Sequence, residues 1–225
     1  MINKHQLVDF ISYLSRKIQF LYYYSFIKLC NQKEGLIIIG CGRSGTTYTS
    51  KKFKSLGIYI SHEKLNKHGI SSWYLVSDQK NVPIGPSFKQ IDKLGFPIVH
   101  QVRNPLSAIS SMQAFSWISF KFLSKEIPID YDNDSKILKA MKYWYYWNLK
   151  AKTKAQFTYQ VEEFDKYLNQ LLIIGKFISV KNESVISTKT NTRKHCDLSW
   201  DDLNKEDEVL TKNIKKLAIK YGYKI

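Results

Sequence analysis

An apolar run, Leu36-Ile37-Ile38-Ile39, ends at Gly40 and passes through Cys41-Gly42-Arg43-Ser44-Gly45 directly into the helix-compatible Thr46-Thr47-Tyr48. No other feature constrains the fold as tightly. A buried strand that turns through three glycines into a helix makes an anion-binding loop. Gly40, Gly42 and Gly45 permit positive φ and close backbone approach, so successive N–H groups can converge on an anion at the helix N-terminus, where the dipole also favours negative charge. Such loops belong to parallel α/β sheets, whose ligands sit beyond the carboxyl ends of the strands.

Three chemistries fit the turn. A nucleoside-triphosphate loop needs Gly-x-x-x-x-Gly-Lys-[Ser/Thr]; Gly40 and Gly45 have that spacing, but Thr46 stands where the lysine belongs. A dinucleotide loop needs Gly-x-Gly-x-x-Gly and an acidic residue about 20 positions on. Gly40, Gly42, Gly45 and Glu63 satisfy that pattern. The side chains favour a third chemistry: Arg43 brings a full charge to the loop, and Ser44, Thr46 and Thr47 add hydroxyl donors, as suits a dense terminal anion.

A second anion motif follows. Pro97-Ile-Val-His-Gln-Val102 reads as a buried strand, then come Arg103-Asn104-Pro105 and, eight residues after the arginine, Ser111 on the next helix. Together, the Arg-Ser-Gly-Thr-Thr loop and this Arg…Ser pair resemble the sulfotransferase family, which takes a sulfuryl group from 3′-phosphoadenosine 5′-phosphosulfate. The likeness runs from about Gly35 to about Trp200 and is dense only at the two motifs. It implies that Arg43, Ser44, Gly45, Thr46 and Thr47 hold the 5′-phosphosulfate, with Arg43 at the bridging oxygen. It implies also that Arg103 and Ser111 hold the 3′-phosphate. Tyr48 stands where the cytosolic branch has a tryptophan against the adenine; stacking and plain helix packing are both open to it. Arg193-Lys194-His195 takes the place of the family's basic Arg-Lys-Gly loop over the 3′-phosphate, without its glycine.

The length of 225 residues suits one domain of about 35–225 behind an amino-terminal segment of 34. Short apolar runs alternate with helical patterns from Gly35 onward, predicting strands near 35–40, 58–60, 97–102 and 157–161. Helices are predicted near 46–56, 69–78, 105–115, 135–155 and 163–175. That alternation specifies a parallel sheet covered by helices on both faces, a P-loop-like three-layer α/β sandwich. Gly57 suits the end of the first of these helices and Asp132-Asn-Asp-Ser135 the start of the long one. The segment from Asp201 reads as a charged surface helix. Trp144, Trp147 and His100 read as core.

Lys and Arg number 35 against 19 Asp and Glu, a net charge of +16 that favours anionic partners. Three scattered cysteines, Cys30, Cys41 and Cys196, form no disulfide framework and point to a reducing, cytoplasmic setting. Cys41 reads as a small residue filling a tight turn. His68 and His195 have no partner at metal-ligand spacing, so no metal site is expected. In the first 34 residues, the uncharged run Ile18–Ile27 between Lys17 and Lys28 is too short to span a bilayer. It suits a helix packed on the domain, or a basic aromatic helix in peripheral contact with a membrane.

Sulfuryl transfer needs in-line placement, charge stabilisation and a base for the acceptor hydroxyl. His62-Glu63 follows the second predicted strand and faces the same crevice as the loop. Glu63 resembles the glutamate used by protein-tyrosine sulfotransferases; His62 has the more suitable intrinsic pKa. Neighbours on an extended segment point in opposite directions, so only one of the two is expected to face substrate. Trp73, within Ser71-Ser-Trp73, either borders the acceptor or packs in the core. The expected activity is sulfuryl transfer to a hydroxyl, with carbohydrate the first choice of acceptor because an arginine in the loop resembles the carbohydrate branch, then peptide tyrosine or lipid. The alternatives are a nucleotide-dependent kinase, a dinucleotide oxidoreductase, or a basic protein that binds nucleic acid or membrane without catalysis.

Overall fold

A computed structural model describes residues 4–80, 82, 85–177 and 197–225, with the side chains of 4–13, 16, 117 and 118 set aside. Its centre is a sheet of β1 (Leu36–Gly40), β2 (Ser61–His62), β3 (Gly69–Ser72), β4 (Ile98–Val102) and β5 (Phe157–Gln160), in the order β2-β3-β1-β4-β5. Every pairing is parallel. Helices lie between β1 and β2, β3 and β4, and β4 and β5, while β2 and β3 are joined by residues 63–68 alone; helices cover both faces of the sheet, as a three-layer α/β sandwich requires. The helices are α1 (Lys4–Leu29), α2 (Thr46–Ser55), α3 (Phe88–Asp92), α4 (Pro105–Met112), α5 (Trp117–Leu123), α6 (Lys136–Lys154), α7 (Phe164–Ile174), α8 (Trp200–Glu206) and α9 (Glu208–Lys220).

β1 is buried along its whole length because it is the central strand, and its side chains divide between two cores. Ile37 and Ile39 face the larger one, with Trp144 and Trp147 of α6; Leu36 and Ile38 face the smaller, with Phe53 of α2 and Phe164 of α7. The strand's continuous apolar run, rather than an alternating one, follows from burial on both faces. α1 joins the larger core through Phe20 and Ile27. None of the helices is long and apolar enough to cross a membrane, among the described residues.

The local signals act where the sequence puts them. Gly57, with φ 74°, follows the carboxyl end of α2, and Ser135 caps α6 by accepting from Leu138 N at 3.0 Å. His100 and both tryptophans of α6 are fully buried. Three expectations need correction. The helix near 69–78 is instead β3 followed by a single 3-10 turn at Tyr74–Val76. Gly69, at φ 119°, enters it so close to β1 that a Cβ there would lie 2.0 Å from the Leu36 carbonyl oxygen, and only a strand pairing brings backbone that near. The strand near 58–60 is displaced to Ser61–His62, where the chain meets β3. The carboxyl-terminal segment is not simply surface: Leu203, Leu210, Ile214, Leu217 and Ala218 enter the larger core. α3 and α5 lie where no helix is predicted.

Candidate functional site

The carboxyl ends of all five strands open on one cleft of about 400 Å³. Its floor is Gly42, Arg43 and Gly45 of the loop and the first turn of α2. Gly45 caps that helix at φ 93°, and the first intrahelical bond runs from Thr49 N to Gly45 O at 3.0 Å. The N–H groups of Thr46, Thr47 and Tyr48 therefore have no partner within the helix and stand at its positive end. Gly42 behaves otherwise: its N–H donates to the Tyr143 hydroxyl at 2.7 Å and so is turned into the protein. A side chain at Gly42 would collide with the Phe115 ring at 2.3 Å, which accounts for the glycine better than anion approach does.

Gln101 on β4 fixes the rest of the loop. Its Nε2 donates to Ser44 O at 2.6 Å, while its Oε1 accepts from the Thr49 hydroxyl and, at 2.6 Å, from the Tyr159 hydroxyl. Ser44 itself is fully enclosed under the loop and does not line the cleft. Cys41 is also buried; lack of solvation pushes its thiol up to about 12, so it is an inert filler of the turn.

The two anion motifs meet directly. Arg43 Nε donates to Ser111 Oγ at 2.8 Å, and Arg103 Nη1 donates to Arg43 O at 3.0 Å. Arg43 sits at φ 65°, a left-handed conformation that costs a non-glycine residue about 1–3 kcal/mol and persists only where its surroundings enforce it. Those two hydrogen bonds are part of that enforcement. Arg103 is positioned in turn by α6, since Trp144 Nε1 donates to its carbonyl at 3.2 Å. Arg43, Gly45, Thr46, Thr47, Tyr48, Arg103 and Ser111 all line the cleft. Tyr48 divides its ring between the cleft and an edge-on contact with Phe164, centroids 6.0 Å apart.

His62 and Glu63 both face this space, contrary to the expectation that only one would. The reason is that β2 stops at His62. Glu63, at φ 56°, has already left the extended conformation, so strand alternation no longer separates the pair. Glu63 is pinned at three points: its N–H donates to Ser71 O at 3.0 Å, its carbonyl accepts from the Tyr74 hydroxyl at 2.9 Å, and its Oε1 accepts from Trp73 Nε1 at 3.0 Å. Trp73 thus borders the cleft and touches the larger core at once, and it comes from β3's end rather than from a helix. His62 Nε2 lies 3.7 Å from Glu63 Oε1. Burial lowers the His62 pKa below its ordinary value, with the Glu63 carboxylate and a hydrogen bond to the Ser71 backbone working against that shift. The imidazole is therefore neutral near pH 7, and its buried Nδ1 carries no hydrogen bond.

Ser107, Phe115 and Glu162 also line the cleft and were missed by sequence reasoning. Glu162 follows β5, and the rule that strand carboxyl ends line the crevice would have flagged it. Its carboxylate is engaged at both oxygens, by Asn104 N at 2.8 Å and by the Tyr223 hydroxyl at 2.8 Å. Arg193, Lys194 and His195 lie outside the described residues. No three His, Cys, Asp or Glu side chains gather as metal ligands among the described residues.

The cleft therefore combines two guanidinium groups, the open end of a helix, the two pinned carboxylates of Glu63 and Glu162, and a neutral imidazole. Such a set can hold an anion with more than one charged group and can accept a proton from a second molecule beside it. No protein-family model, curated protein or solved structure matches this chain.

Proposed function

We propose that the protein is a sulfotransferase that moves a sulfuryl group from 3′-phosphoadenosine 5′-phosphosulfate to a hydroxyl, with carbohydrate the favoured acceptor class. The observation carrying this reading is the junction of Arg43, Ser111 and Arg103, three residues from two separate motifs that share one cleft through direct hydrogen bonds. A donor with phosphates at both ends of one ribose needs two such anion sites side by side. The cleft volume of about 400 Å³ falls within the range of small-molecule sites.

In this account the first-turn N–H groups of α2 and the Thr46 and Thr47 hydroxyls hold the 5′-phosphate. Arg103 and Ser111 hold the 3′-phosphate; Ser111 accepts from Arg43, which leaves its own hydroxyl proton free to donate. Arg43 meets the oxygen that bridges phosphorus and sulfur. The acceptor oxygen forms the new bond to sulfur as the sulfur–bridging-oxygen bond breaks, leaving the electron pair on the nucleotide, and the acceptor's proton passes to Glu63. Trp73 orients that carboxylate, and His62 is the second base within reach. A sulfuryl group bears less negative charge than a phosphoryl group, so a guanidinium suffices for the charge stabilisation.

The test follows labelled sulfuryl donor into a panel of hydroxyl acceptors. The expected result is label in an acceptor with an equal amount of adenosine 3′,5′-bisphosphate released, in EDTA as well as without it. Because Arg43 acts most as charge develops, Arg43→Ala should depress turnover more than it weakens adenosine bisphosphate binding. Phosphoryl transfer from ATP, or hydride transfer with NAD, in place of sulfuryl transfer would refute the reading.

A further inference from the structure

Helix α1 shows two faces that differ in what they touch. At about 100° per residue, Phe20, Tyr23, Tyr24 and Ile27 fall on one side and pack on the larger core. Leu14, Ile18, Leu21, Tyr22 and Leu29 fall on the opposite side, within an arc about 100° wide. They remain 39, 67, 54, 63 and 86% exposed. Single exposed apolar side chains are ordinary, but Leu14, Ile18, Leu21 and Tyr22 lie together on one helix face, with Leu29 on the same face two turns on beyond the exposed Ser25, and such a grouping marks a contact surface.

The charges beside the patch choose its occupant. No Asp or Glu occurs between Phe10 and Lys33. Lys17 and Lys28 border the stripe, Lys33 follows the helix, and the Lys28 ammonium reaches the carbonyl of Lys93, which brings another exposed lysine to the same end. Asp92, exposed next to Lys93, and Glu34, next to Lys33, each offset one of these charges, which leaves Lys17 and Lys28 uncompensated in sequence beside the stripe. A second copy of the chain would set the lysines against themselves across a two-fold axis. An anionic lipid surface meets them with opposite charge, at about 1 kcal/mol for each Lys or Arg held near it. Tyr22 adds the amphipathic ring favoured at headgroup depth.

We propose that α1 docks the protein on an anionic bilayer, lying in the interface with Leu14, Ile18, Leu21, Tyr22 and Leu29 at the acyl boundary and the lysines against lipid phosphates. Docking of this kind matches an apolar face, flanking cations and a helix that does not qualify as a membrane span. It is independent of what the cleft binds. The helix also reaches the segment that carries Glu63, since Gln19 Nε2 donates to Leu65 O at 3.5 Å.

Flotation of the full chain with vesicles tests the proposal. The protein should float with phosphatidylcholine vesicles that contain phosphatidylserine, release as salt is raised, and float poorly with phosphatidylcholine alone. The double change Ile18→Ser and Leu21→Ser should lower partition roughly tenfold or more, with thermal unfolding unchanged because neither side chain enters the core. Should that variant fold poorly, Leu29→Ser at the exposed end of the helix serves the same purpose. Lys17→Gln and Lys33→Gln should each weaken phosphatidylserine binding roughly fivefold and flatten the salt dependence. Undiminished flotation of the serine variants would overturn the proposal. So would a wild-type protein that ignores vesicles and forms a dimer that the serine variants dissociate.

Discussion

At the residue scale the account rests on which side chains meet in the cleft and in what protonation state. Glu63→Gln keeps size and hydrogen-bonding shape but removes basicity, so nucleotide binding should persist while turnover falls by roughly 10² to 10⁴. Turnover and nucleotide affinity measured for Glu63→Gln beside His62→Asn assign the base. An active Glu63→Gln enzyme beside an inactive His62→Asn enzyme would move the role to His62. Arg43, Arg103 and Ser111 were legible in the sequence because each sits at a fixed offset from a strand end, and such offsets survive folding. Phe115 was not, because its place beside Gly42 depends on how α4 and α6 pack. The turn at Glu63 was equally hidden: nothing local announces that β2 stops after two residues.

At the element scale the loop is a joint between β1, β4, α2 and α6, and its shape is enforced from beneath. Tyr143 of α6 holds the Gly42 N–H, and burial of its hydroxyl pushes its pKa well up, so it stays neutral. Tyr143→Phe leaves that buried N–H without an acceptor, which costs roughly 1–3 kcal/mol. Urea unfolding should show a lower midpoint at unchanged slope, and nucleotide affinity should fall with it; an unchanged midpoint would mean that the loop is held elsewhere. β3 shows how an element can escape a sequence reading. Gly69-Ile-Ser-Ser72 has neither the alternation of a half-exposed strand nor the length of a buried one, and all its residues are buried between β1 and β2. The flanking signals mimic a helix, and only the pairing with Leu36–Ile39 decides otherwise. β1 and α6 were legible for the opposite reason: β1 is an unbroken apolar run that ends at Gly40, and α6 is a long helical pattern opened by the Ser135 cap.

At the scale of the whole molecule, buried histidines tie stability to pH. His100 is fully buried; Asn148 Nδ2 donates to Trp144 O, so Asn148 Oδ1 must accept from His100 Nε2, and the bare Nδ1 is left without a partner. Burial lowers His100 from 6.5 to about 4, and burial beside Lys67 lowers His68 from 6.5 to about 4. Between those two values the unfolded chain binds more protons than the folded one, so stability falls as pH drops through that window and this contribution is lost below it. Melting temperature should therefore decline from about pH 6.5 to about pH 4. His100→Gln, which keeps a donor toward Asn148, should make the decline shallower; an identical slope would remove His100 as a cause. The net charge of +16 favours polyanions of every kind, so affinity for any one nucleotide means little alone. The decisive measurement is a parallel titration with adenosine 3′,5′-bisphosphate, 5′-AMP, ATP and NAD in wild type and Arg103→Ala. Charge-assisted hydrogen bonds contribute roughly 1.5–3 kcal/mol each, so the bisphosphate should bind at least about tenfold tighter than 5′-AMP, and Arg103→Ala should erase most of that difference. Equal affinity for the two, or tighter binding of NAD or ATP, would contradict the account.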